Sequence, residues 1–172
     1  MAVVGLVQPV ASAAPAVPAG WQVVKGGDVR AFSNTFYSAA NNYYVTTEID
    51  YGGIFRTGLR AAAGAVGARE QYTFTYDPTS QKWSIKSNAN GLYVTAELDY
   101  PGGDYGLLRA RASEINLWER FELWYSSSEN RYALRAHNGL FVSTELKFKD
   151  HLVGMLRARH DKIEAWEKFI IT

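Results

Sequence analysis

Three stretches of this chain place an aromatic ring beside a charged group at matching points. They are Asp50-Tyr51-Gly-Gly, Asp99-Tyr100-Pro-Gly-Gly-Asp104-Tyr105 and Lys147-Phe148-Lys-Asp150. A ring stacks on the apolar face of a sugar while a neighbouring carboxylate accepts hydrogen bonds from its hydroxyls. Three such loops would be weak sites strengthened by multivalency. The alternative is structural: Tyr51, Tyr100 and Phe148 pack together and close one end of a barrel. The third stretch, with Lys147 in place of Asp, would bind differently or not at all.

Other recurring residues have simpler expectations. Glu97 with Arg109 or Arg111, and Glu145 with Arg157 or Arg159, are expected on outward faces of paired strands. Cross-strand ion pairs there contribute about 0.2–1 kcal/mol each. Trp118 and Trp166 read as core or rim packing, since each precedes a recurring Phe. Catalysis has no visible apparatus. His137, His151 and His160 lack metal-ligand spacing, and no HExxH, Gly-x-Ser-x-Gly or phosphate loop occurs. Asp99 and Asp104 have the chemistry for glycoside hydrolysis, but loops on a rigid repeat read as binding loops. No enzyme, cofactor or metal site is expected, and the Asp/Gly loops offer too few ligands for calcium.

The elements that position these residues come in copies. Val45, Val94 and Val142 lie 49 and 48 apart; so do Glu48, Glu97 and Glu145, and Arg60, Arg109 and Arg157. Glu70, Glu119 and Glu167 keep the same step, as do Tyr72, Phe121 and Phe169. This is a three-fold internal repeat. Within it Val94, Ala96 and Leu98 alternate with Tyr93, Thr95 and Glu97, the period of a half-buried strand. Leu108, Ala110 and Ala112 alternate likewise with Arg109 and Arg111. One helical turn is expected after Ser113 and Asp161, both suited to an N-cap, whereas a Gly-Ala spacer replaces it in the first copy. Turns at Pro78 and Asn130 join successive copies. Four strands per copy, in about 48 residues, make twelve in all. One copy cannot bury its own apolar face, and closure of the three removes exposed edges. The expected fold is an all-β β-trefoil over residues 21–172.

Composition agrees with one domain. The chain has 172 residues, 47% of them hydrophobic, and 14% aromatic with 11 Tyr and 5 Trp. Eighteen basic against 17 acidic residues give a net charge of +1, which makes no case for nucleic acid or an anionic membrane. There is no cysteine, which excludes disulfides and thiolate metal sites. Residues 2–20 carry no charge and are rich in Ala, Val, Pro and Gly. The apolar run Val3–Val10 followed by Ala11-Ser12-Ala13 reads as a signal peptide whose start lies upstream, and so as secretion. A disordered Ala/Pro tail over 1–20 is the alternative. No run is long enough for a membrane-spanning helix.

Leu134-Arg-Ala-His-Asn-Gly139 leads into Leu140-Phe-Val-Ser-Thr-Glu145, and Trp83-Ser-Ile-Lys-Ser-Asn-Ala-Asn-Gly91 into Leu92-Tyr-Val-Thr-Ala-Glu97. With its Arg-bearing strand and W-E-x-F ending, this text resembles the fascin-like branch of the β-trefoils. The resemblance covers the chain after Trp21. Copy one departs, with Asn41-Asn42-Tyr43 for the Asn-Gly turn and Arg69 for the Trp. Fascins bundle actin with several trefoils in tandem, so the resemblance implies the fold far more than the actin function. Gln81-Lys82-Trp83 matches the Gln-x-Trp of ricin-type lectins, but it is not repeated and reads as coincidence. The expected role is a non-catalytic binding module, with carbohydrate the leading ligand. Protein binding, in the manner of a protease inhibitor or of an actin-binding trefoil, is the alternative.

Overall fold

The computed structural model describes residues 17–27 and 31–172. Most of the signal-like segment expected over 1–20 lies outside the described residues. Thirteen strands follow: β1 Gln22–Val23, β2 Ala31–Ser38, β3 Tyr43–Glu48, β4 Gly58–Ala63, β5 Gln71–Asp77, β6 Lys82–Ser87 and β7 Tyr93–Glu97. Then come β8 Leu107–Ala112, β9 Glu122–Ser126, β10 Arg131–Arg135, β11 Phe141–Glu145, β12 Met155–His160 and β13 Phe169–Ile171. Twelve of them are the expected four per copy, β2–β5, β6–β9 and β10–β13. The extra strand β1 pairs with β9 and follows Trp21, which is buried against Trp124, Ala133 and Phe141.

Pairing closes a ring. The first and last strands of each copy pair antiparallel in the order β2–β5–β6, β9–β10–β13 and back to β2. Trp83 on β6 and Phe121 before β9 exchange both backbone hydrogen bonds, at 2.8 Å each, and complete the six-stranded barrel. The middle strands form hairpins β3–β4, β7–β8 and β11–β12, each with a register shift before its central Val. The hairpins cap one barrel end, joined by Gly58 to Arg109, Leu107 to Arg157 and Met155 to Arg60. With no open edge on the barrel, this is a β-trefoil.

The core is built from sets of equivalent residues. Phe36, Ile85 and Leu134, then Tyr72, Phe121 and Phe169, then Leu59, Leu108 and Leu156, are all fully buried. One polar feature interrupts it. Ser38 meets Thr144 at 2.7 Å, and Ser87 meets Thr47 at 2.8 Å. At the third equivalent position both partners are small and apolar, Ala136 and Ala96. Either both members are hydroxyls or neither is, which avoids a buried hydroxyl without a partner.

Two expectations need correction. The glutamates of the second hairpin face do not point outward: Glu97 is 0% exposed and Glu145 4%, and Glu48 is half-buried, whereas Arg111 and Arg159 stay exposed. The connection before the fourth strand folds over that face. It carries a 3-10 turn at Leu117–Glu119 and Ala165–Glu167, and Thr95 and Ser143 donate to the carboxylates of Glu119 and Glu167. The turn is also not capped by Ser113 or Asp161. The Glu instead reaches back to a backbone N–H three residues earlier, Asn116 to Glu119 at 2.8 Å and Glu164 to Glu167 at 2.9 Å. Copy one keeps the same turn, with Gly67 donating to Glu70 at 2.7 Å, despite its Gly-Ala spacer.

Candidate functional site

The ring-and-carboxylate loops are the tips of the three cap hairpins. Tyr51, Tyr100 and Phe148 come together there around Leu107, Leu152 and Met155, with Phe55 beside them. Phe148 is 7% exposed, and the two tyrosines are half-buried. Their hydroxyls are engaged. Arg60 Nη1 donates to Tyr51 Oη at 2.9 Å, and Arg109 Nη1 donates to Tyr100 Oη. Phe148 has no hydroxyl, and the Arg157 guanidinium lies 5.2 Å from its ring centroid instead.

The same three arginines tie each copy to the next. Arg60 Nε donates to Val153 O at 2.8 Å, Arg109 Nε to Arg56 O at 2.9 Å, and Arg157 Nε to Tyr105 O at 3.1 Å. Each also stands near the Glu of its own hairpin: Arg60 at 3.3 Å from Glu48, Arg109 at 3.7 Å from Glu97, Arg157 at 3.8 Å from Glu145. Glu97 and Glu145 have a second partner in Arg111 and Arg159; Arg111 Nη2 donates to Glu97 Oε2 at 2.8 Å. Ala62 stands at that position in copy one, so Glu48 has one arginine. Burial pushes the Glu48 carboxyl above its usual range, a push that Arg60 and the more distant Arg69 only partly offset.

The loop carboxylates have local partners. Exposed Asp50 pairs with Arg69 at 2.7 Å, and Asp104 accepts from Lys149 Nζ at 2.7 Å. The Lys149 ammonium also lies 4.7 Å from the Phe55 ring centroid. Asp99 and Lys147 are exposed, and Tyr105 is half-buried with its carbonyl held by Arg157. The structure thus gathers Tyr51, Tyr100 and Phe148 at the three-fold axis, with their polar neighbours at the rim.

A second recurring constellation lies away from the axis. In copy two the stretch Arg111–Arg120 lines an open groove of about 710 Å³, with half-buried Trp118 in its wall. In copy three Arg159, His160, Glu164, Trp166 and Glu167 line the equivalent groove, about 260 Å³. Neither tryptophan belongs to a core cluster among the described residues. Each groove combines an indole, a guanidinium fixed by a buried Glu, and a carboxylate held by backbone and hydroxyl donors. Two N–H groups of Arg111 go to Glu97, which leaves others for a ligand. Both tryptophans, expected as core or rim packing, stand half-buried in the groove walls. Copy one has Arg69 at the Trp position and Ala62 at the Arg111 position. A residue the fold can do without in one copy is free to serve another purpose in the others.

No family model matches the chain, and no curated protein matches its sequence. Solved structures share its fold. The designed three-fold symmetric protein ThreeFoil superposes with a TM-score of 0.65 at 10% identity, over 81% of this chain and 97% of that one. A Macrolepiota procera ricin B-like lectin, solved in complex with lactose, gives 0.61 at 14% identity over 87% and 97%. The Rhizoctonia solani agglutinin gives 0.62 at 8% identity over 83% and 95%.

Proposed function

We propose that this chain is a non-catalytic carbohydrate-binding module whose sites are the grooves at Trp118 and Trp166. The carrying observation is the duplication of a half-buried indole in a groove wall beside anchored Arg and Glu side chains, in two copies of a repeat whose first copy has Arg69 and Ala62 at the equivalent positions. An indole face offers apolar stacking for a pyranose ring, and fixed polar groups offer hydroxyl partners. Rigid placement lowers the ordering cost of binding. The cap rings serve this purpose less well, because Tyr51 and Tyr100 are committed to arginines and Phe148 is buried. The likeness to a lectin solved with lactose supports the reading through the fold. An exported setting goes with it, resting on the uncharged segment before Trp21. The fascin-like text then describes strands and turns, and a lone trefoil crosslinks filaments only with a second site.

The test is retention of the full chain on insoluble polysaccharides, with a glycan array beside it. Trp118→Ala together with Trp166→Ala is expected to abolish retention while leaving the melting curve intact; Tyr51→Ala and Tyr100→Ala are expected to keep it. The opposite pattern would return the sites to the hairpin tips, and no retention on any glycan ends the sugar reading. One observation favours a second reading. Ile115 is 38% and Leu117 54% exposed on one loop, an apolar pair suited to a protein partner. Inhibition of a serine protease lost on Leu117→Asp would decide for it.

A further inference from the structure

Leu117 and Arg120 border not one groove but two. Beyond them lies a second recess of about 310 Å³, lined also by Lys82, Arg135, His137 and Glu122. Its charge is unbalanced, with three permanent cations against one carboxylate. That carboxylate is already engaged: Glu122 Oε1 accepts from Lys82 Nζ at 2.6 Å, and Oε2 from Trp124 Nε1 at 3.1 Å and Arg135 Nη1 at 3.5 Å. Arg120 makes no ion pair and no side-chain hydrogen bond among the described residues. Its counterpart in copy three, Lys168, is bridged to Glu129, and in copy one it is the neutral Gln71. Asp77 lines a smaller side recess with Arg120 and attracts it weakly from a distance; its carboxylate is hydrogen-bonded by Ser80 and Thr79 within its own turn and forms no ion pair with Arg120 among the described residues.

We infer that the copy-two site takes an acidic glycan, one sugar stacked at Trp118 and the anionic group of its neighbour held at Arg120 and His137. The inference rests on the carbohydrate reading and adds the charge of the ligand. The anionic group, a uronate carboxylate or a sulfate ester, is complementary to Arg120, which makes no ion pair among the described residues, in a recess where Lys82 and Arg135 share the single carboxylate of Glu122. Arg is suited to both, because its planar fork matches carboxylate and sulfate oxygens. Copy three, with its cation already paired, lacks this selectivity.

The experiment titrates the full chain with three tetrasaccharides: heparin-derived (sulfated), galacturonan-derived (carboxylated) and chitotetraose (neutral). At least one acidic ligand is expected to bind about tenfold tighter than the neutral one, the scale of a charge-assisted hydrogen bond. That preference should shrink as salt is raised and vanish in Arg120→Gln, with His137→Gln as a milder second variant. The stronger of the two acids identifies the source of the charge. Equal binding of acidic and neutral ligands, or a preference that survives Arg120→Gln, overturns the inference; if Trp118→Ala still weakens all three, the carbohydrate reading stands. No binding of any ligand removes both.

Discussion

Thr57 shows how a single residue can reveal the repeat's strain. It has φ 61°, and Gly106 and Gly154 occupy the same place in the other copies at φ 79° and 95°. A Cβ at Gly106 would lie 2.4 Å from Ala158 O, so the glycine there is steric as well as conformational. Thr57→Gly should therefore raise stability by about 1 kcal/mol, the left-handed penalty less the entropy of the glycine. A melting temperature about 2–4 °C higher is the expected reading; an unchanged or lower one would show that Thr57 is relaxed. Glu122 and Glu48 behave oppositely towards acid. Burial pushes the Glu122 carboxyl up, but Lys82, Trp124 and Arg135 outweigh it and hold it below its ordinary value of 4.5. Its contribution is therefore present above that value and lost as pH falls through the lower folded one. Urea unfolding below about pH 4.5 should show a shallower loss of stability in Glu122→Gln than in the parent. Glu48, held above its ordinary value, opposes folding once it ionises. A steeper acid loss in Glu122→Gln would refute the assignment.

At the scale of elements, the arginines of β4, β8 and β12 are the connectors. Arg109 alone reaches Glu97, Tyr100 and the Arg56 carbonyl, and its side chain is 14% exposed. Arg109→Ala leaves a buried carboxylate with one partner and should lower stability by about 3 kcal/mol in urea titration. Arg109→Lys, which cannot fork, should recover only part of that; a neutral Arg109→Ala would mean that the hairpins are held by packing alone. The strands themselves were legible, because alternation with Val, Ala and Leu recurs three times in one register. The faces were not. Period two says that Glu97 and Leu98 point opposite ways, but not that the Leu117–Glu119 turn folds back over Glu97. The turn was anticipated at the wrong cap for a related reason: Glu119 provides the cap from within the turn, so Ser113 is not needed. Asn41, Asn90 and Asn138 escaped notice as a set. Each donates to the Ala61, Ala110 or Ala158 carbonyl at 2.8–3.0 Å, and the residue after it takes φ 61°, 70° or 78°. Asn42 thus does in copy one what Gly91 and Gly139 do in the others, an equivalence hidden by reading the Asn-Gly pair as the motif.

For the whole molecule, three copies imply closure, and closure creates two kinds of surface. One lies on the three-fold axis, where equivalent residues meet and are used up by each other; Tyr51, Tyr100 and Phe148 are there. The other repeats around the barrel wall, where each copy stands alone and can diverge without harming the fold. Copies two and three have Trp118 and Trp166 in such positions, and copy one has Arg69. The difference between axis and wall depends on closure, so the alignment alone could not rank the two sets of rings. It predicts different stoichiometries. Calorimetric titration with a short oligosaccharide retained in the polysaccharide screen should give two ligands per chain. One should remain in Trp118→Ala or Trp166→Ala, and none in the double variant. Three ligands per chain, or two that survive the double substitution, would contradict the groove assignment and return the binding sites to the hairpin tips.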